Sequence, residues 1–200
     1  MTWLDHFLQR RRIAQARPFL SAGARVLDIG SADGALFQEV DFLGADCLGI
    51  DPTLRQPVAG NNFKLVPGFF PQDMPDAEPF DAVTLLAVLE HFPAAACAEL
   101  AEGCRRFLKP GGKVIITVPS PRVDRILAIL QTVRLVHGMS LEEHHGYEVR
   151  RTTEIFHPPH FRLVCHRTFQ LGLNNLFVFE NLAKISDRRS CVVHRGKTAG

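Results

Sequence analysis

The sequence predicts an α/β domain built on a doubly wound, mostly parallel seven-stranded sheet, with helices on both faces and an antiparallel C-terminal strand. Three observations carry this expectation. Short apolar runs alternate with segments of helical period through five strands, the pattern of a parallel sheet with right-handed crossovers. The first run ends in a turn with glycine at both ends, Gly30-Ser-Ala-Asp-Gly34. The second ends in an acidic residue, Asp51, about twenty residues after Asp28.

Along the chain, residues 1–22 form an N-terminal helical segment, because Trp3, Leu4, Phe7, Leu8, Ile13, Ala16 and Leu20 recur at spacings of three and four. Residues 25–30 read as a buried strand, and 35–43 as a helix with Leu36, Val40 and Leu43 on one face. Strands follow at 47–50, 63–66 and 80–86. A helix over 94–108 places Cys97, Leu100, Cys104 and Phe107 together, and Lys109-Pro-Gly-Gly112 is expected to stop it. Strand five is predicted over 113–118 and a further helix over 123–137. Residues 138–160, rich in histidine, are expected to cover a substrate. Strands over 161–169 and 176–182 close the domain as an antiparallel pair, and the polar tail after Asp187 is expected to fray.

The 200 residues suit one domain over 1–200, and a hydrophobic share of 46% is enough for a core. The formal net charge is +2, from 23 basic and 21 acidic residues, so no nucleic-acid partner is expected. Arg10-Arg11-Arg12 is the one basic run, and a solvated helix face is the expected reading. Five scattered cysteines without a Cys-x-x-Cys pair fit a reducing compartment. No apolar run approaches the ~18 residues of a membrane span, and the N-terminus lacks a signal-peptide core. A cytoplasmic protein is expected.

The turn has a physical logic. Glycine at 30 lets the backbone leave the strand sharply, glycine at 34 allows close approach, and a helix N-terminus beyond offers free N–H groups to a ligand. Asp51 is placed to accept from ribose hydroxyls. Nicotinamide, flavin and adenosylmethionine cofactors all remain compatible at this point.

Three segments narrow the choice. Val26-Leu-Asp-Ile-Gly-Ser-Ala-Asp-Gly34 resembles motif I of class I S-adenosylmethionine-dependent methyltransferases, whose usual form is (D/E)xGxGxG, with Ala32 standing at the middle glycine. Phe80-Asp-Ala-Val-Thr-Leu-Leu-Ala-Val-Leu-Glu-His-Phe92 resembles that family's strand-four motif, and Leu108-Lys-Pro-Gly-Gly-Lys-Val-Ile-Ile-Thr-Val-Pro119 its strand-five motif. The likeness covers about residues 20–120 and implies a Rossmann-like fold with S-adenosylmethionine as cofactor. It further implies that Gly30, Ser31, Ala32 and Gly34 line the methionine and ribose portion. Asp28 would approach the methionine amino group, Asp51 the ribose diol and Pro52 the adenine. Gly68 and Phe69 fall where the family recognises adenine, although an Asp often stands at 69. Ala87 would contribute backbone contacts, and Glu90-His91 would lie near the sulfonium.

Methyl transfer is an in-line displacement that positioning alone can accelerate strongly, with a base needed only when the acceptor bears a proton. His91, His144 and His145 are the candidate catalytic residues, and Tyr147 a candidate lid or substrate contact; packing, capping or a solvated loop explain the same residues without chemistry. No metal is expected, because His144/His145, His157-x-x-His160 and Cys165-His166 match no standard zinc spacing. The expected function is methyl transfer to a small-molecule or lipid/saccharide-type acceptor, at oxygen. A non-catalytic binding or partner protein of the same fold is the alternative, and a nicotinamide oxidoreductase is disfavoured by the absent GxGxxG.

Overall fold

A computed structural model of the chain describes residues 3–120 and 148–183. Its sheet has eight strands: β1 Val26–Ile29, β2 Cys47–Asp51, β3 Val58–Ala59, β4 Phe63–Pro67, β5 Phe80–Leu86, β6 Leu108–Pro119, β7 Phe161–Phe169 and β8 Asn174–Asn181. The helices are α1 Trp3–Ala16, α2 Ala35–Glu39, α3 Cys97–Phe107 and α4 Arg150–Ile155. The strand order is β3-β4-β2-β1-β5-β6-β8-β7. The five central strands, β4, β2, β1, β5 and β6, run parallel. Strand β8 inserts antiparallel between β6 and β7, so β7 again points the same way as β6.

Alternation along each strand divides the core in two. Leu27, Ile29, Val83, Leu85, Ile116 and Val118 face one side, where Leu100, Cys104 and Phe107 of α3 and Phe156 after α4 pack. Val26, Ala82, Ile115, Leu176 and Val178 face the other, against Ile13 and Ala16 of α1 and Leu36 and Phe37 of α2. The C-terminal strands add aromatic weight: Phe156 lies 5.2 Å from Phe161 and 5.4 Å from Phe179, in the range where ring pairs add to simple burial.

Several expected boundaries shift, each for a local reason. The eighth strand, β3, is two exposed residues pairing antiparallel with the edge of β4, too short and too exposed to leave an apolar pattern. Helix α2 stops at Glu39, because Val40 leaves helical geometry at ψ 81, although Val40 and Leu43 are buried as the periodicity implied. Lys109-Pro-Gly-Gly112 does not separate helix from strand: β6 already begins at Leu108, which pairs with Phe80. The register then jumps to Lys113 opposite Ala82, with Gly111 at φ +74 absorbing the irregularity. Strand β8 starts two residues before the expected Leu176, at Asn174, since two asparagines read as a turn but pair across to β6. The expected helix over 123–137, together with His144, His145 and Tyr147, lies outside the described residues. No described helix is long and apolar enough to cross a membrane.

Candidate cofactor and acceptor site

At the carboxyl end of β1 the strand is buried on every residue, including Asp28, which is 5% exposed. Its register partner on β5 is Thr84, whose hydroxyl donates to Asp28 Oδ1 at 2.5 Å. Burial pushes the Asp28 carboxyl up to about 7; the Thr84 hydrogen bond opposes that shift, and the nearby Asp51 and Asp33 charges add to it.

The chain then leaves the strand at Gly30, φ +73, with its N–H on Ile50 O at 2.8 Å. Ala32 sits at φ +44, in a region where a side chain is strained, and its N–H donates to Asp51 Oδ2 at 2.9 Å. Asp51 Oδ1 accepts from the N–H and hydroxyl of Thr53, at 2.8 and 2.5 Å. One carboxylate thus pins the turn after β1 to the turn after β2 while retaining one lone pair, on Oδ2, for a ligand. Gly34, at φ +75, opens α2 and faces Phe63 and Leu65. Ser31 is 4% exposed, its hydroxyl unpartnered, and it lies so near Gly49 that a Cβ there would come within 2.5 Å of Ser31 Oγ.

Two clefts meet at Gly30. The larger, about 260 Å³, is almost wholly apolar and is lined by Pro52, Gly68, Phe69, Val88, His91 and Phe92 among others. The smaller, about 50 Å³, is mostly polar and is lined by Gln9, Arg12, Asp28, Gly30 and Ser31 together with apolar neighbours. Of the residues singled out from the sequence, Asp28, Gly30, Ser31, Pro52, Gly68, Phe69 and His91 therefore converge on this double cleft. Ala32, Gly34, Asp51 and Ala87 line neither part. Ala87, at φ +61, is held by its N–H on Thr117 O at 2.9 Å, which ties the turn after β5 to β6. Phe69 is 65% exposed, and its N–H donates to Asp73 Oδ2 at 2.8 Å. His91 ends a 3-10 turn over Leu89–His91 and forms part of the cleft wall.

The basic run is not one solvated face. Arg10 points outward to Glu39 at 2.8 Å, Arg11 is exposed, but Arg12 turns inward to the polar cleft. Burial holds the Arg12 guanidinium below its usual range, against the opposing attraction of Glu90 and Asp5. Glu90, in the turn after β5, is correspondingly pushed up to about 7 by its own burial, against a backbone hydrogen bond and the attraction of Arg12. The missed signal was helical phase: Arg12 stands four residues after Leu8 and four before Ala16, on the inward stripe. Of the histidines weighed as metal ligands, His144 and His145 lie outside the described residues, and two of the others have side-chain contacts. His166 Nε2 lies 3.2 Å from Asn175 Oδ1 and its ring stacks on Phe177, while His157 Nδ1 lies 2.5 Å from Pro158 O. Among the described residues no group of three or more His, Cys, Asp or Glu side chains is gathered to hold a metal ion.

A parallel sheet whose strand order reverses beside β1, with a glycine turn and an acid-tipped neighbouring strand at the reversal, defines a Rossmann-like nucleotide-type binding fold. Residues 3–161 match the family model described as "Methyltransferase domain", and the chain belongs to that family. Among curated relatives, the ubiquinone biosynthesis O-methyltransferase of Pseudomonas aeruginosa is 34% identical over 107 residues, covering 48% of this chain and 44% of that protein. Its counterpart in Paraburkholderia phymatum is 30% identical over 134 residues, covering 62% and 57%. The chain spans about half the length of the curated relatives it matches. Among solved structures, the N-methyltransferase NodS from Bradyrhizobium japonicum WM9 is similar with a TM-score of 0.64 at 17% identity, over 90% of this chain and 99% of that one. The Burkholderia thailandensis 1,6-didemethyltoxoflavin-N1-methyltransferase, solved with S-adenosylhomocysteine, is similar with a TM-score of 0.65 at 16% identity, over 90% and 81%.

Proposed function

We propose that this chain is an S-adenosylmethionine-dependent methyltransferase that binds its cofactor across Gly30 and methylates a hydroxyl oxygen of a small-molecule or lipid/saccharide-type acceptor. The observation that carries the reading is the pair of unlike clefts joined at Gly30, one apolar and one polar, with Asp51 tying the two turns beside them. An adenosyl amino acid has the same asymmetry: a flat apolar base at one end and a zwitterion at the other.

The residues present fit that ligand. The absence of a Cβ at Gly30 lets Val88 of the cleft wall pack directly against the turn, and the apolar cleft between Pro52, Phe69 and Phe92 suits adenine. In the polar cleft, Arg12 Nε and Ser31 Oγ are buried without partners, which favours an incoming group that supplies them. Arg12 would take the carboxylate and ionised Asp28 the ammonium, while Asp51 offers its remaining lone pair to a ribose hydroxyl. When bound, the cofactor supplies a methyl group on a sulfonium that departs as a neutral thioether. The protein's part is to align acceptor oxygen and methyl, exclude water and receive the hydroxyl proton as the C–O bond replaces the C–S bond. His91, on the cleft wall, is the described residue best placed to take that proton. The names of the curated relatives support oxygen as the acceptor atom.

The test is calorimetric titration with S-adenosylhomocysteine, followed by methyl transfer from labelled S-adenosylmethionine to a panel of hydroxylated acceptors. Binding in the micromolar range and label transfer are expected. Absence of any binding by the wild-type chain sinks the reading.

A further inference from the structure

Every buried side-chain polar atom without a partner among the described residues lies at one end of the molecule. Arg12 Nε and Ser31 Oγ border the polar cleft, and Glu90 Oε2 follows β5. Thr117 Oγ1 and Ser120 Oγ end β6, and Arg167 Nε, Gln170 Nε2, Asn174 Oδ1 and Asn175 Nδ2 flank the β7–β8 turn. Because β8 runs antiparallel to β6 and β7 parallel to it, all of these fall at the carboxyl end of the parallel strands. Orphaned polar atoms are uncommon in folded interiors, so their segregation to one end calls for a cause. The cofactor clefts account for those near β1 and β5 but stop at the turn after β5. The atoms on β6 and β8 extend two strands further, and Ala87 joins that turn to β6.

Within the outer group, Asn175 and Ser120 stand apart. Asn174 and Gln170 are already engaged with each other, Asn174 Nδ2 donating to Gln170 Oε1 at 2.5 Å. Arg167 reaches Gln15 O at 2.9 Å and stacks over Phe19. Asn175, 4% exposed, opposes Val118 on β6, and Ser120 follows Val118 by two residues with its N–H on Leu173 O at 2.8 Å. They are therefore diagonal neighbours on one face, about 7–8 Å apart by strand geometry. That face carries Val118, which belongs to the same buried cluster as Leu89; Val88 and Phe92 pack against that cluster and also line the apolar cleft. Asn175 is not free to turn away: His166, stacked on Phe177 at 4.1 Å, holds one end of its amide. The other end of the amide, Nδ2, is left buried without a partner.

We propose that Asn175 and Ser120 form the acceptor subsite of the methyltransferase proposed above, binding an uncharged oxygen substituent, hydroxyl or carbonyl, of the molecule to be methylated. The pair offers one amide and one hydroxyl and no charge. Arg167, the cation on β7 close to it in sequence, opposes Leu176 and so faces the other side of the sheet. An anionic acceptor would find no counter-charge in this pair, and a neutral one with adjacent oxygens would satisfy both groups.

The probe is catechol, a neutral ring with two adjacent hydroxyls, titrated calorimetrically into protein saturated with S-adenosylhomocysteine; benzoate serves as the anionic control. Wild-type protein is expected to bind catechol and to discriminate against benzoate. Asn175→Leu and Ser120→Ala are each expected to weaken catechol by about tenfold, with S-adenosylhomocysteine affinity unchanged and the melting temperature of Asn175→Leu not lowered. Ser120→Thr, which keeps the hydroxyl, is expected to retain binding. No catechol binding by cofactor-loaded wild type overturns the proposal, as does equal affinity in wild type and Ser120→Ala, which would make the pair a water site. Parallel loss of cofactor and catechol affinity in the variants overturns it too, by making the pair structural. Failure of wild type to bind S-adenosylhomocysteine strikes instead at the methyltransferase reading itself.

Discussion

Gly30 and Val88 are in such close contact that a Cβ at position 30 would lie 2.4 Å from Val88 Cγ2. The contact brings the turn after β1 against the turn after β5, and both residues line the apolar cleft. A side chain at 30 would be strained by its φ of +73 and would also press into the wall of the site.

Gly30→Ala should therefore be worse than strain alone. Gly23, at φ +72, has nothing within 4 Å of the place a Cβ would occupy, so Gly23→Ala isolates the backbone cost, roughly 1–2 kcal/mol. That corresponds to a melting-temperature loss of about 2–8 °C in a chain of this size. Gly30→Ala is expected to fall further and to lose S-adenosylhomocysteine binding by at least about tenfold, whereas Gly23→Ala keeps it. Differential scanning fluorimetry and calorimetry read both; equal behaviour of the two variants would refute the close-packing argument.

Asp51→Asn replaces an acceptor of three hydrogen bonds by a group with one oxygen and one NH2. The NH2 must then face either the Ala32 N–H or the Thr53 donors. A destabilisation of about 1–3 kcal/mol is expected, with cofactor affinity falling in parallel because the two turns are no longer tied. A variant that keeps both stability and affinity would show that the carboxylate is dispensable.

Stability should depend on pH through two buried acids. Asp28 and Glu90 both titrate near 7 in the folded chain, against ordinary values of 3.8 and 4.5, so between roughly pH 4 and 7 the folded state holds more protons than the unfolded one. Their contribution is full at acid pH and is lost as pH rises to about 7. The ligand-free chain should thus lose melting temperature from pH 5 to 7.5, and Asp28→Asn should flatten that slope. Affinity for S-adenosylhomocysteine should move the opposite way, rising as Asp28 ionises. A pH-independent affinity in wild type would exclude Asp28 as the ammonium partner.

Arg12 and Arg10 offer a paired comparison on one helix. Arg10→Ala removes an exposed ion pair and should change stability by less than about 1 kcal/mol, with no effect on ligand affinity. Arg12→Ala should weaken S-adenosylhomocysteine by about tenfold or more and leave Glu90 buried without its cation, raising the acid's titration point further. Calorimetry at pH 8 separates the two variants.

What the sequence determined by itself was the part written in local pattern. Five apolar runs, with helical segments in two of the four intervals between them, specified the parallel sheet, because burial on both faces of such a strand leaves a continuous apolar signature. Glycine at 30 and 34 and acid at 51 marked the turns beside the two clefts, because those positions demand residue types that few alternatives can supply. Tertiary structure decided what depends on neighbours distant in sequence. Arg12 faces a cleft because Asp28 and Ser31 lie across from it, Lys109-Pro-Gly-Gly112 is an irregularity within β6 because Leu108 and Lys113 on either side of it both pair with β5, and Asn175 is a buried orphan because β8 is inserted between β6 and β7. A side chain's direction and its want of a partner are properties of packed surroundings, and a linear pattern records only the residue's own preferences.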